Sequence, residues 1–174
     1  MEVLRGTVIT KEQATNLYNA YERELYKLAL MMTRSKVMSE DIVSETFLKA
    51  FENYSKYDQT RPIKPWLTQI LINNSREAFR KNKKCFLVET FPDQEDTRNF
   101  VEHFFSKEQE QAIWEMVNQL TLKSREVVVL HYYEELTLSE VASILQIPLG
   151  TCKSRLNTAL NQLCRLIPNC LEAL

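Results

Sequence analysis

The stretch PLGTCKSRLNTALNQL, Pro148 to Leu163, carries both the fold class and the functional question. Projected at about 100° per residue, Cys152, Leu156, Ala159, Leu160 and Leu163 cluster on one side of a helix. Gly150, Ser154, Asn157, Thr158 and Asn161 point to the other, with Lys153 and Arg155 beside them. Short polar side chains on such a face can approach base edges, flanking cations can reach phosphates, and a glycine lets a backbone come close. An ordinary helical hairpin would carry a solvated polar face as well, so periodicity leaves both readings open. Cys152 falls on the apolar side and reads as a small buried hydrophobe, not as a chemical group.

Immediately upstream, Thr137 and Glu140 in TLSEVASILQIP form a capping box. It opens a helix of two to three turns with Val141, Ala142 and Leu145 inward. Gln146, Ile147 and Pro148 make a short turn, with Pro148 at the start of the next helix, so two short helices are joined tightly. That is helix-turn-helix spacing. Further out, helices are expected from about Leu122 to Tyr133 and from about Glu108 to Gln119.

Between Cys85 and Phe105, CFLVETFPDQEDTRNFVEHFF mixes acids, a proline and scattered aromatics with no sustained period, and it reads as a linker. Helical spacing resumes before it. Thr10 and Gln13 suggest another capping box, opening a helix in which Leu17, Tyr21, Leu25, Leu28 and Met32 recur. A second helix is expected from near Ser39, with Val43, Phe47, Ala50, Phe51 and Tyr54 on one face, and a third from Pro65 to about Lys84. With only two glycines, Gly6 and Gly150, and period-3.6 spacing almost throughout, the chain is all-α.

Charge is segregated. Residues 15–84 hold 13 basic against 8 acidic side chains, a net of +5, whereas residues 85–111 hold 2 against 7, a net of −5. The average of −1 argues against a protein that coats nucleic acid indiscriminately, but the pattern favours a polyanion-facing first part beside an acidic connector. The four cysteines, Cys85, Cys152, Cys164 and Cys170, form no Cys-x-x-Cys pair, and His103 and His131 stand alone, so neither a zinc site nor a disulfide framework is expected. No apolar run approaches the ~20 residues of a membrane span, and MEVLRGTVITKEQ lacks the apolar core of a signal peptide. A cytoplasmic protein with no membrane insertion and no cofactor is expected.

The segment MVNQLTLKSREVVVLHYYEELTLSEVASILQIPLGTCKSRLNTALNQL resembles domain 4 of the extracytoplasmic-function (group 4) sigma factors of the sigma-70 family. It departs from their pattern at Gln146, where glycine is frequent, and at Cys152, where valine is usual. DIVSETFLKAFENY, Asp41 to Tyr54, and KPWLTQILINNSREAFRKNKK, Lys64 to Lys84, resemble domain 2 of the same family, with Glu77 in place of a common aspartate and Ile72 at a position that is often basic. The resemblance implies two small helical domains, a three- to four-helix bundle over residues 15–84 and a helix-turn-helix over 110–174, with a tail at 1–14 and an acidic linker at 85–109.

The implied function is to direct bacterial RNA polymerase core to promoters, with no catalytic residue in the chain. Gly150, Thr151, Lys153, Ser154, Arg155, Asn157 and Thr158 would read the −35 element in the major groove. Tyr57, Lys64, Asn73, Arg76, Glu77, Arg80, Lys81 and Lys84 would serve the −10 element, with the loop Tyr57, Asp58, Gln59 and Thr60 able to hold an unstacked base. Trp66 is read as core. Asp41, Glu45, Lys49 and Glu52 would dock on the β′ clamp helices, the plain alternative being a solvent face with a Glu45–Lys49 pair. Further implied partners are the β flap, promoter DNA and an anti-sigma factor. Two rivals stand beside this reading: a stand-alone helix-turn-helix regulator, and a helical protein that binds polymerase or an anti-sigma factor without promoter recognition.

Overall fold

Thr10 starts the first helix as expected. Its hydroxyl accepts from the Gln13 backbone N–H at 3.2 Å, while the Gln13 side chain accepts from the Thr10 N–H at 2.9 Å. The computed structural model describes residues 9–83 and 114–166. The expected tail up to residue 8, Lys84, the linker 85–109, the helix start near Glu108, Cys85, His103 and Cys170 lie outside the described residues. Contacts divide the chain into two compact units, Met1–Pro92 and Asp93–Leu174.

The first unit is a bundle of α1 (Lys11–Thr33), α2 (Lys36–Glu52) and α3 (Ile63–Lys83), each packed on the other two. α2 begins three residues before the expected Ser39. Arg34 takes the left-handed conformation (φ 60°) to end α1, and the Ser35 hydroxyl then accepts from the Met38 N–H to open α2. Two residues therefore suffice for the corner. Inside it, Thr33 Oγ1 and Ser39 Oγ share a buried hydrogen bond of 2.8 Å, so Ser39 is a residue of the helix interior instead of its start.

Asn53 closes α2 by donating from Nδ2 to the Lys49 carbonyl, and a 3-10 turn, Tyr54–Lys56, leads into the loop before α3. Pro65 occupies the first turn of α3, where no backbone N–H is needed. The core is formed by fully buried Leu28, Leu30, Met32, Leu67, Leu71 and Ile72. Ile72, which stands where the family often has a basic residue, is thus a packing residue with no access to a ligand.

In the second unit, a helical turn at 114–118 precedes α4 (Leu122–Val128), which continues as a π turn, Val129–Tyr133. The buried Arg125 guanidinium donates to the carbonyls of Val117 and Asn118, at the end of the 114–118 turn, and of Leu120 just after it. α5 (Leu138–Leu145) and α6 (Leu149–Leu166) complete the helix-turn-helix. α6 packs on α4 and α5, and Gln162 Nε2 donates to the Gln119 carbonyl at 3.0 Å. Of the two helices expected to be short, α6 is long, at 18 residues. Pro148 stands at its start as expected, its carbonyl accepting the first helical bond from the Cys152 N–H.

Candidate nucleic-acid and protein interfaces

The turn between α5 and α6 is set by one residue. Thr137 and Glu140 form the expected capping box: the carboxylate accepts from the Thr137 N–H at 2.8 Å and from its hydroxyl at 2.6 Å. Those bonds hold the Glu140 carboxyl below the usual carboxylate range. At the other end of α5, Gln146 adopts φ 53°, ψ 47°. A left-handed residue reverses the chain here, which explains why glycine suits the position and why glutamine bears strain.

α6 then presents two distinct faces. Cys152, Leu156 and Ala159 are buried, and burial pushes the Cys152 thiol above its ordinary value, leaving the thiolate scarce. Gly150, Lys153, Ser154, Asn157, Thr158 and Asn161 are exposed, and Thr151 and Arg155 are half-buried. Leu160 corrects the sequence reading: expected inward, it is 39% exposed, because it lies at the margin of the apolar arc. The side chains of Lys153, Ser154 and Asn157 take part in no hydrogen bond or ion pair among the described residues, whereas the Thr158 hydroxyl donates to the Ser154 carbonyl and keeps its lone pairs for a donor. A Cβ built on Gly150 would meet nothing within 4 Å, so packing within the chain gives no reason for a glycine.

In the first unit, Asn73, Arg80 and Lys81 are exposed and Arg76 and Glu77 half-buried on α3. Trp66 belongs to the same side of the helix. It is half-buried, not core, and its ring stacks on Tyr57 with centroids 4.9 Å apart. The Tyr57 hydroxyl donates to the Arg61 carbonyl, and Asp58 accepts from the Thr60 N–H and hydroxyl, which fastens the loop and holds the Asp58 carboxyl low. Lys64 does not join this side. It lies about 160° around α3 from Arg80 by helical geometry and meets Glu24 of α1 at 2.7 Å.

On α2, Asp41, Glu45 and Glu52 are exposed in one stripe. Leu48 and Val37, 57% and 67% exposed, lie within it and were missed by the sequence reading, although their helical phase matches the acids. Lys49 sits at the margin. It pairs with Glu45 at 3.2 Å, as the plain alternative had it, but also donates to Asn74 Oδ1 at 2.8 Å and faces Glu77 at 3.5 Å.

Among the described residues no cluster of histidine, cysteine or carboxylate suits a metal, and no helix is long and apolar enough to cross a membrane.

A profile of Sigma-70 region 2 matches residues 17–85, and one of Sigma-70, region 4 matches residues 110–163. The ECF RNA polymerase sigma factor SigW of Bacillus subtilis (strain 168) is 28% identical over 153 residues, covering 82% of each chain. SigM of the same organism, also an ECF RNA polymerase sigma factor, is 29% identical over 148 residues, covering 84% of this chain and 90% of its own. In fold, the chain is similar to the sigma factor RpoE of Bartonella quintana, solved with the anti-sigma factor NepR, at TM-score 0.69 and 22% identity over 87% of this chain and 94% of that one. A similar likeness holds for CnrH, solved with the cytosolic domain of CnrY, at TM-score 0.64 and 20% identity over 90% and 88%. Two helical units that match sigma regions 2 and 4 in order, with relatives of the same class along most of the chain, place it: this protein belongs to the extracytoplasmic-function sigma factors of the sigma-70 family, which direct RNA polymerase to promoters.

Proposed function

We propose that the second unit lays α6 in the major groove of the −35 element while the first unit recognises and opens the −10 element. The observation that carries this is the exposed, unpartnered face of Lys153, Ser154 and Asn157 beside Gly150, on a helix whose opposite face is buried. Ser154 and Asn157 are suited to base edges, Lys153 and Arg155 to phosphates. On α3, Asn73 has the chemistry to read a base, and Arg76, Arg80 and Lys81 supply positive charge, while the Tyr57–Trp66 stack offers an aromatic surface beside them.

The α2 stripe, Asp41, Glu45, Leu48 and Glu52, docks on the β′ clamp helices, its acids for cations and Leu48 for an apolar contact. The second unit meets the β flap. An anti-sigma factor covers these same surfaces when transcription is off. The protein works in the cytoplasm and catalyses nothing itself, since polymerase performs the chemistry. The two rivals are unfavoured: a stand-alone regulator has no use for region 2, and a mere adaptor has no use for the open face of α6.

Run-off transcription with core polymerase and a genomic promoter library tests the proposal. Transcripts that depend on the protein are expected. Core binding without initiation would favour the adaptor, and a DNA shift without core and without transcript the regulator. In the holoenzyme, Arg155→Ala should weaken −35 binding and lower the salt slope by about 0.9 if it contacts one phosphate.

A further inference from the structure

We infer that Lys49 is a positioning residue for the DNA-facing side of α3, not a docking residue for polymerase. The inference rests on the reading of α3 as the −10 face. Asn74 is 5% exposed, and its orientation is set from within: Nδ2 donates to Thr46 Oγ1 at 3.1 Å, and the Thr46 hydroxyl donates in turn to the Ile42 carbonyl at 2.6 Å. Its Oδ1 therefore has to face the Lys49 ammonium, which it holds at 2.8 Å. That bond draws Lys49 off the α2 stripe and into the seam between α2 and α3.

From the seam, a row of alternating charge runs outward. Glu45 lies 3.2 Å and Glu77 3.5 Å from the Lys49 ammonium, and the other Glu77 oxygen lies 2.9 Å from Lys81. Hydrogen bonding and attraction from Lys81, with the attraction of Lys49, hold the Glu77 carboxyl below its usual range. With Lys49 present, Glu77 is balanced from its inner side, and the Lys81 charge is available to a phosphate. Without it, Lys81 is the one cation left beside Glu77 in this row: Glu77 holds Lys81 back and repels the DNA backbone. A residue assigned to protein docking thereby sets the charge of the DNA face.

The test uses the full chain in reconstituted holoenzyme on a promoter fragment that yields a run-off transcript. Lys49→Gln keeps a donor for Asn74 but loses the charge, and Lys49→Met loses both. Both are expected to lower promoter affinity about three- to tenfold and to reduce the salt slope by up to about 1, with core affinity unchanged. Lys49→Arg should retain most of the affinity. Adding Glu77→Gln to Lys49→Met, which removes the uncompensated carboxylate, should restore it to within about twofold. A purely structural role would lower thermal stability, leave the salt slope alone and show no rescue by Glu77→Gln, and that pattern would overturn the inference. So would a loss of core affinity in Lys49→Gln with promoter binding intact. Lys81→Ala separates the two levels. If it weakens promoter binding and Lys49→Gln does not, the inference alone falls; if Lys81→Ala and Arg80→Ala both leave promoter binding unchanged, the reading of the α3 face falls and takes the inference with it.

Discussion

The rings of Tyr57 and Trp66 lie 4.9 Å apart and 29° from parallel, so the loop before α3 is stacked onto the first turn of that helix. Such a pair contributes about 0.5–1.5 kcal/mol beyond its burial. Trp66→Ala should therefore destabilise the first unit by about 1–3 kcal/mol, more than Trp66→Phe does. It should also speed amide exchange across residues 57–61, followed by mass spectrometry. Unaltered exchange there would mean that the stack does not hold the loop.

Gln146 sits in the left-handed region at the sharp turn between α5 and α6. An L-residue bears roughly 1–2 kcal/mol of strain there, and glycine relieves it while adding about 0.4–1 kcal/mol of unfolded-state freedom. Gln146→Gly is expected to stabilise the second unit by about 0.5–1 kcal/mol net. The chain has two tryptophans, Trp66 and the buried Trp114, so Trp114 fluorescence in a Trp66→Phe background reports on this unit alone. A urea midpoint that does not rise would contradict the strain.

Stability and binding should part at Gly150. Alanine meets no steric obstacle there and favours the helix by up to about 1 kcal/mol. If DNA backbone or bases approach this point, Gly150→Ala should raise the melting temperature while lowering −35 affinity several-fold. Equal affinity for both proteins would show that nothing comes close to Gly150.

Cys152 is fully buried, with its thiol pushed up by that burial. Cys152→Val should keep stability within about 1 kcal/mol and leave promoter binding intact, whereas Cys152→Ser should cost about 1–3 kcal/mol for an unsatisfied hydroxyl. In the native chain, Cys152 should alkylate far more slowly than the half-buried Cys164, as peptide mass spectrometry can measure. Comparable rates would contradict its burial.

Glu140 gives the helix-turn-helix an acid-sensitive start. Its folded pKa is lowered, so the stabilisation is complete above the ordinary value of 4.5 and is lost as the pH falls through the lower folded value. Glu140→Gln can form the same box without titrating. The advantage of the native chain over this variant at neutral pH should shrink as the pH falls below 4.5 and vanish once the pH lies well below the lowered folded value, followed by thermal melts. A constant difference across that range would remove the carboxylate from the account.

The two capping boxes, the three helices of the first unit, the helix-turn-helix and the polar face of α6 were all legible in the residues, because each depends on groups three or four positions apart. The start of α2 was misjudged because a serine cap and a left-handed arginine leave no glycine or proline to mark the corner. What periodicity does not contain is which neighbouring helix covers a given side. Lys49 shares the helical phase of a docking stripe closely enough to be grouped with it, yet its partner Asn74 is 25 positions away. Lys64 looked like one more cation for DNA, but its phase on α3 lies about 160° from Arg80, and Glu24, 40 positions away, holds its ammonium there. By itself the sequence determined the helices, their caps and the polar face of PLGTCKSRLNTALNQL, since local hydrogen bonds and the helical repeat suffice for these. Packing between helices alone decided that Ile72 is core, that Trp66 stacks instead of filling the interior, and that Lys49 reaches Asn74 across the seam between α2 and α3, because burial and ion pairing depend on groups the chain brings together only when it folds.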